Sequence, residues 1–178
     1  MPRHHGKRYY SNRELLLRVV WGIVEPLFFR YSPRLLYGWR NMLLRLMGAR
    51  IGKGVQIFPS VRIFAPWLLD VGDHSVIAWG VKVYNLGRIS IGQHTVVSQF
   101  AHLCGGTHDY ESDTFTLLRT GLTIGSHVWI AADAFVGPDV HVNDYAVVAA
   151  RSVVIRNVER GGIVGGNPAR VLKIRTGV

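Results

Sequence analysis

Six β-branched residues, Ile124, Ile130, Val136, Val142, Val148 and Val154, recur at a constant spacing of six. No other feature of the chain restricts its fold so sharply. In a sequence that is 48% hydrophobic, six apolar residues in one register arise by chance about 1% of the time, before counting that all six are Ile or Val. The fifth position of each hexad is also small or β-branched: Val128, Ala134, Val140, Ala146, Ser152 and Val158. Both columns extend backwards through Ile91, Val97 and Leu103, with Thr95, Ala101 and Thr107. The aliphatic column continues through Val71, Ile77 and Val83, and through Ile51, Ile57 and Ile63. Offsets of eight residues separate these blocks. Only the step from Leu103 to Ile124 is large, at 21.

A short fixed period means that one unit cannot bury its apolar face alone and must stack on its neighbours. With a turn at positions two to four, positions one and five point to the same side and fill the inside of a tube. An alternating sandwich would instead show varied strand spacing and turn signals every 8–12 residues. The hexad resembles that of the hexapeptide-repeat acyltransferases, over about residues 51–175. The resemblance implies an all-β fold, a left-handed parallel β-helix in which three hexads make one triangular coil. The expected organisation is a basic, aromatic helical segment at 1–50, a β-helix at 51–165 with a protruding loop at 109–121, and a turn with a basic tail at 166–178.

The charge is uneven. The net charge is +10, and 11 of the 21 Lys and Arg residues fall in residues 1–53, against only Glu14 and Glu25. Such a surface suits an anionic lipid, an acidic partner or nucleic acid. No nucleic-acid-binding module accompanies it, so nucleic acid is not expected as a partner. One cysteine, Cys104, forms no intrachain disulfide and no metal-spaced cluster. A cytoplasmic protein is expected. The apolar stretch from Leu15 to Phe29 is interrupted by Arg18, Glu25 and Pro26, so it does not read as a spanning helix.

Ser11 and Glu14 stand in capping-box spacing and predict a helix from about Asn12, kinked or ended by Pro26. Ser32 as N-cap, Pro33 at the first helical position and Gly48 as the stop predict a second helix. Two uses fit these helices: capping the open end of the β-helix, or lying at the inner face of a membrane through Trp21, Phe28, Phe29 and Trp39.

The long step interrupts the repeat beside His108, which falls at outward position six. The stretches "LCGGTHDY", "IGSHVWIAADAFVGPDVHV", "AVVAARSVV", "GNPARVLKIR" and "LLYGWRNMLLRLMGARIG" are similar to the colanic acid biosynthesis acetyltransferases of the WcaF type. That resemblance implies transfer of an acetyl group from acetyl-CoA to a sugar hydroxyl, with a histidine beside the loop as general base. An imidazole suits the task, because a sugar hydroxyl does not ionise at neutral pH. His108 is the expected base, and Asp109 could orient it only if the chain turns sharply. The amides near Gly105 and Gly106 are candidates for holding the oxyanion. Asn85, His102 and Tyr110 are candidate acceptor contacts, while His127 and His141 show no evident partners.

An 18-residue coil stacks Ala131 beneath Ala149 and Ala132 beneath Ala150, which makes one corner all alanine. The resemblance places coenzyme A there, between two subunits of a homotrimer, with Trp129 alongside and with Arg156, Asn167, Arg170 and Lys173 reaching the coenzyme. No metal is expected. The competing readings are an antibiotic-modifying acetyltransferase, a non-catalytic scaffold, and a zinc-dependent carbonic-anhydrase-like β-helix using His102 and His108 with His74, His94 or His127.

Overall fold

The computed structural model describes residues 9–177. The basic residues Arg3, Lys7 and Arg8, part of the N-terminal charge excess, lie outside the described residues, as does Val178. From Arg50 onward the chain winds as a left-handed parallel β-helix with three walls, each a ladder of two- or three-residue strands apart from the five-residue strand that ends the second wall. The first wall stacks Arg50–Ile51, Leu69–Val71, Ile89–Ile91, Leu122–Ile124 and His141–Val142. The second stacks Gln56–Ile57, Val76–Ile77, Val96–Val97, Trp129–Ile130, Val147–Val148 and Gly162–Gly166. The third stacks Arg62–Ile63, Lys82–Tyr84, His102–Cys104, Phe135–Val136 and Val153–Val154.

Both columns read from the sequence fill the tube. Ile57, Ile77, Val97, Leu103, Ile130, Val136 and Val148 are fully buried, and Thr95, Ala101, Ala134, Ala146 and Ser152 occupy the companion column. Thr107 departs from it. It is exposed because the chain has already left the coil.

The corners between the first and second walls each hold one residue in the left-handed region. This residue is Gly54, His74, His94, His127 and Tyr145 in successive coils. A side chain there costs about 1 kcal/mol or more, and stacking offsets it. The rings of His74, His94, His127 and Tyr145 lie face to face with centroids 4.9–5.1 Å apart, and Arg160 covers the last of them. His127 therefore has partners on both sides, contrary to the sequence reading.

Helix α1 spans Asn12–Val24 with both halves of the capping box in place. Pro26 does not end it. The chain continues through a π-turn, Glu25–Phe29. Trp21 donates its indole N–H to the Ile63 carbonyl at 2.7 Å and packs edge-on against Phe29, which fixes α1 along the third wall.

Helix α2 spans Tyr37–Leu46 and plugs the open end of the tube with Leu44 and Met47. Its start differs from the expectation on Ser32 and Pro33. Residues 32–35 wrap instead around the fully buried Arg40, whose guanidinium donates to the carbonyls of Ile57, Pro33 and Arg34 and to the Ser32 hydroxyl. Burial lowers the Arg40 pKa from its ordinary value. Gly48, at φ +93°, ends the helix as expected. At the other end of the chain, the segment expected as a tail folds back as a strand, Ala169–Ile174, antiparallel to Gly162–Gly166.

Candidate active site

The third-to-first corner is intact in the second coil at Asn85–Gly87 and broken in the third. There the chain leaves after Gly105 and returns at Gly121, whose amide donates to the Gly105 carbonyl at 3.1 Å. Between them an antiparallel ribbon, Thr107–His108 against Leu117–Leu118, carries the loop tip. The excursion thus begins at Gly106, before the expected 109, and His108 stands in the ribbon rather than on the outer wall of the coil. Both ends need glycine. A Cβ at Gly121, which has φ +82°, would lie 2.1 Å from the Arg88 carbonyl oxygen, and one at Gly106 would lie 2.6 Å from Leu86. The Gly105 amide donates to the Tyr84 carbonyl at 2.8 Å, so it is spent in the ladder and does not serve an oxyanion.

His108 is exposed, and its Nδ1 lies 2.6 Å from the main-chain oxygen of Phe115. A carbonyl only accepts, so Nδ1 is the donor, and in the neutral ring the lone pair is on Nε2. Phe115 is held at φ +46°, a strained conformation for a bulky residue, at the position that aims this carbonyl. The orienting group is therefore a main-chain atom that leaves no sequence signature.

Asp109 does not orient the ring. Its Oδ1 accepts from the Glu111 amide at 3.1 Å, and its own main chain bonds to Thr116 and Ser112, so it shapes the loop tip. Tyr110, 81% exposed, stands at that tip.

Two candidate acceptor contacts lie elsewhere. Asn85 is fully buried, with its side-chain oxygen accepting from the Ala65 amide and its side-chain nitrogen donating to the Ala65 carbonyl. It staples two coils and presents nothing to an acceptor. His102 sits on the third wall, edge-on to Phe135, at the rim of a cavity of about 620 Å³ between that wall and α1. Burial, with Lys82 adding to it, lowers the His102 pKa from its ordinary value.

The alanine corner is confirmed by register, since Trp129–Ile130 pairs with Val147–Val148. Ala131 is buried, Ala132 and Ala149 are half-buried and Ala150 is exposed. Gly165 and Gly166 continue the corner above them, with the Leu172 side chain of the C-terminal strand packed over Gly165. Trp129 lies beside the corner on the outer face of the second wall, donating to the Ser98 hydroxyl at 3.0 Å. Arg170 pairs with Gly165 across the C-terminal hairpin and Lys173 with Ile163. Both are exposed, and Asn167 sits in the hairpin turn. Arg156 belongs to another edge, above Gly137 and Pro138, so it does not line this track within one protomer. Among the described residues no group of three or more His, Cys, Asp or Glu side chains is arranged to hold a metal ion.

The three-walled β-helix is the fold of solved hexapeptide-repeat acetyltransferases. A Vibrio cholerae hexapeptide-repeat-containing acetyltransferase superposes with a TM-score of 0.84 at 26% identity, covering 92% of this chain and 93% of its own. A structure of that protein complexed with acetyl-CoA gives 0.85 at 24% identity, with coverages of 95% and 92%. No family model matches the chain. WcaF of Escherichia coli (strain K12), whose own assignment as a colanic acid biosynthesis acetyltransferase is provisional, is 46% identical over 156 residues, 88% of this chain and 86% of the relative. The chain belongs to the WcaF family of hexapeptide-repeat acetyltransferases.

Proposed function

We propose that the protein is an O-acetyltransferase that moves an acetyl group from acetyl-CoA to a hydroxyl of a cell-surface glycan or its precursor, with His108 as general base in a site shared between subunits of a homotrimer. The observation that carries this reading is the 2.6 Å contact between His108 Nδ1 and the Phe115 carbonyl, which leaves Nε2 free to take a proton. Nε2 accepts the acceptor hydroxyl proton as that oxygen forms its bond to the acyl carbon. The imidazolium then returns the proton to the departing sulfur, so that one proton moves and no covalent enzyme intermediate forms. A positioned base of this kind contributes roughly 10²–10⁴-fold.

Acetyl-CoA supplies the acetyl group as a thioester. The alanine and glycine corner fits its narrow pantetheine arm, because bare main chain there leaves room and hydrogen-bonding groups. Arg170 and Lys173 at the upper end of that corner suit its phosphates. The WcaF relationship and the acetyl-CoA complex of the Vibrio protein support donor and acceptor class alike.

The two halves of the machinery lie on different edges of the prism. His108 leaves at the third-to-first corner and the alanine track runs along the second-to-third, with the whole third wall between them. A second copy that presents its track to the first copy's loop would unite them, and a head-to-tail contact of this kind closes as a three-membered ring when it rotates each copy by a third of a turn.

Calorimetric titration with acetyl-CoA and with coenzyme A tests the donor half without knowledge of the acceptor. Saturable binding near one per chain is expected, unchanged in His108→Ala. Absence of binding to a folded trimer at millimolar concentration would sink the reading.

A further inference from the structure

The fold leaves one face of the molecule without a partner, and its composition is unlike that of the walls. More than half of the large apolar side chains exposed among the described residues lie between Leu15 and Leu46. On α1 the residues Leu16, Val19 and Ile23, 64%, 64% and 55% exposed, fall on one line along the helix at 100° per residue. Leu15 and Val20 flank them. Leu27 and Phe28 prolong the line through the π-turn. Trp39 of α2 joins it by donating its indole N–H to the Phe28 carbonyl at 2.9 Å. The opposite face of α1 is spent on the β-helix, with Trp21 on the Ile63 carbonyl and Arg18 over Phe64 at the third wall, and with Glu14 paired to Arg119 in the returning arm of the loop. With Leu17, Trp21 and Val24 packed inward and Leu16, Val19 and Ile23 turned outward, the helix carries apolar side chains on both sides, as helices buried on both sides do.

The charge around this face has one sign. The acids of the segment, Glu14 and Glu25, are both consumed in ion pairs, with Arg119 and with Arg30 and Arg62. Arg13 and Arg34 stand exposed at the margin, and the sequence adds Arg3, Lys7 and Arg8 just before it. Pairing this face with the same face of a second copy would set these cations against one another with no acid to answer them. A protein partner would need an apolar patch ringed by acids. An anionic bilayer presents apolar depth beneath a negative surface and meets both requirements at once. No helix among the described residues is long and apolar enough to cross a membrane, so the geometry is that of a helix lying in the interface, with Trp39 and Phe28 at headgroup depth.

We propose that the outward face of α1, the π-turn and Trp39 docks the protein on an anionic phospholipid surface. The inference is independent of the reaction assigned to His108.

The test uses the full chain and sedimentation with vesicles of phosphatidylcholine alone or with about one-third phosphatidylglycerol. Binding is expected to the anionic vesicles and to be at least about fivefold weaker to the neutral ones. The double substitution Val19→Glu and Ile23→Glu should weaken it about tenfold or more while leaving trimer mass and acetyl-CoA titration unchanged. Arg13→Glu with Arg34→Glu spares the apolar face and should remove only the preference for anionic lipid. It keeps the test decisive if the first variant does not fold. Failure of the unaltered protein to sediment with anionic vesicles would overturn the proposal. So would a loss of trimer mass in Val19→Glu and Ile23→Glu, which would make this face an interface between copies.

Discussion

Two corners of the same prism solve opposite problems. At the third-to-first corner the chain abandons the coil for residues 106–120 and builds a ribbon with a strained tip. At the second-to-third corner it contracts, from Ser98 and Gln99 through two alanine pairs to Gly165 and Gly166. The walls between them are interchangeable, because every coil must place the same kinds of residue inside the tube. What distinguishes this molecule is written where the hexad is lengthened or stripped, and the contrast teaches that the corners, not the walls, hold the proposed base and the proposed coenzyme track.

The sharpest way to break this comparison is to separate the two corners genetically. His108→Ala should reduce turnover by roughly 10²–10⁴-fold, and Ala150→Trp should obstruct the track. If the site is shared between copies, trimers assembled from a mixture of the two variants regain activity that neither shows alone. Assay of co-refolded mixtures that stay inactive would confine both corners to one chain.

Next in size is Gly121→Ala, which sets a Cβ against the Arg88 carbonyl at a φ that only glycine accepts freely. A loss of about 2–4 kcal/mol is expected, read as a lower thermal midpoint. Ala150→Trp by itself should weaken acetyl-CoA about tenfold in calorimetry without altering the fold. Asp109→Ala should lower turnover only a few-fold, well short of His108→Ala, because the Phe115 carbonyl and not the carboxylate holds the ring. An effect as large as that of His108→Ala would return the orienting role to Asp109.

The smallest effect lies between the corners, at His102. Burial and Lys82 hold its folded pKa below the ordinary 6.5, so on acidification the unfolded chain takes up the proton first. The associated stability is present above about pH 6.5 and is lost as pH falls through the lower, folded pKa. His102→Gln should flatten the thermal midpoint against pH on the acid side of 6.5 and leave it unchanged above.

The coil was legible in the sequence because its period is short and its inward residues have no freedom of type. The departure of the chain beside His108 was legible because the rhythm stops there. Thr107 was misread for a plain reason: threonine is acceptable both inside the tube and on an exposed ribbon, so its identity does not report where the chain departs. Asn85 was misread because an amide that staples Ala65 and an amide that greets a sugar look the same in one dimension. Ser32 and Pro33 carry a genuine helix-start signal, overridden by the demand of Arg40 for main-chain carbonyls. The Phe115 carbonyl was invisible, since every residue has one.

The proximity of Gly105 and Gly121 has a further consequence for how such molecules diversify. The chain exits and re-enters the prism within a single hydrogen bond, so the coils above and below do not fix the length of the loop tip between His108 and Arg119, the residue that ties the returning arm to the Leu86 carbonyl and to Glu14. On the proposed function, the loop tip is then a cassette through which acceptor choice is exchanged, by natural recombination or by grafting, while His108 and the alanine corner are inherited intact.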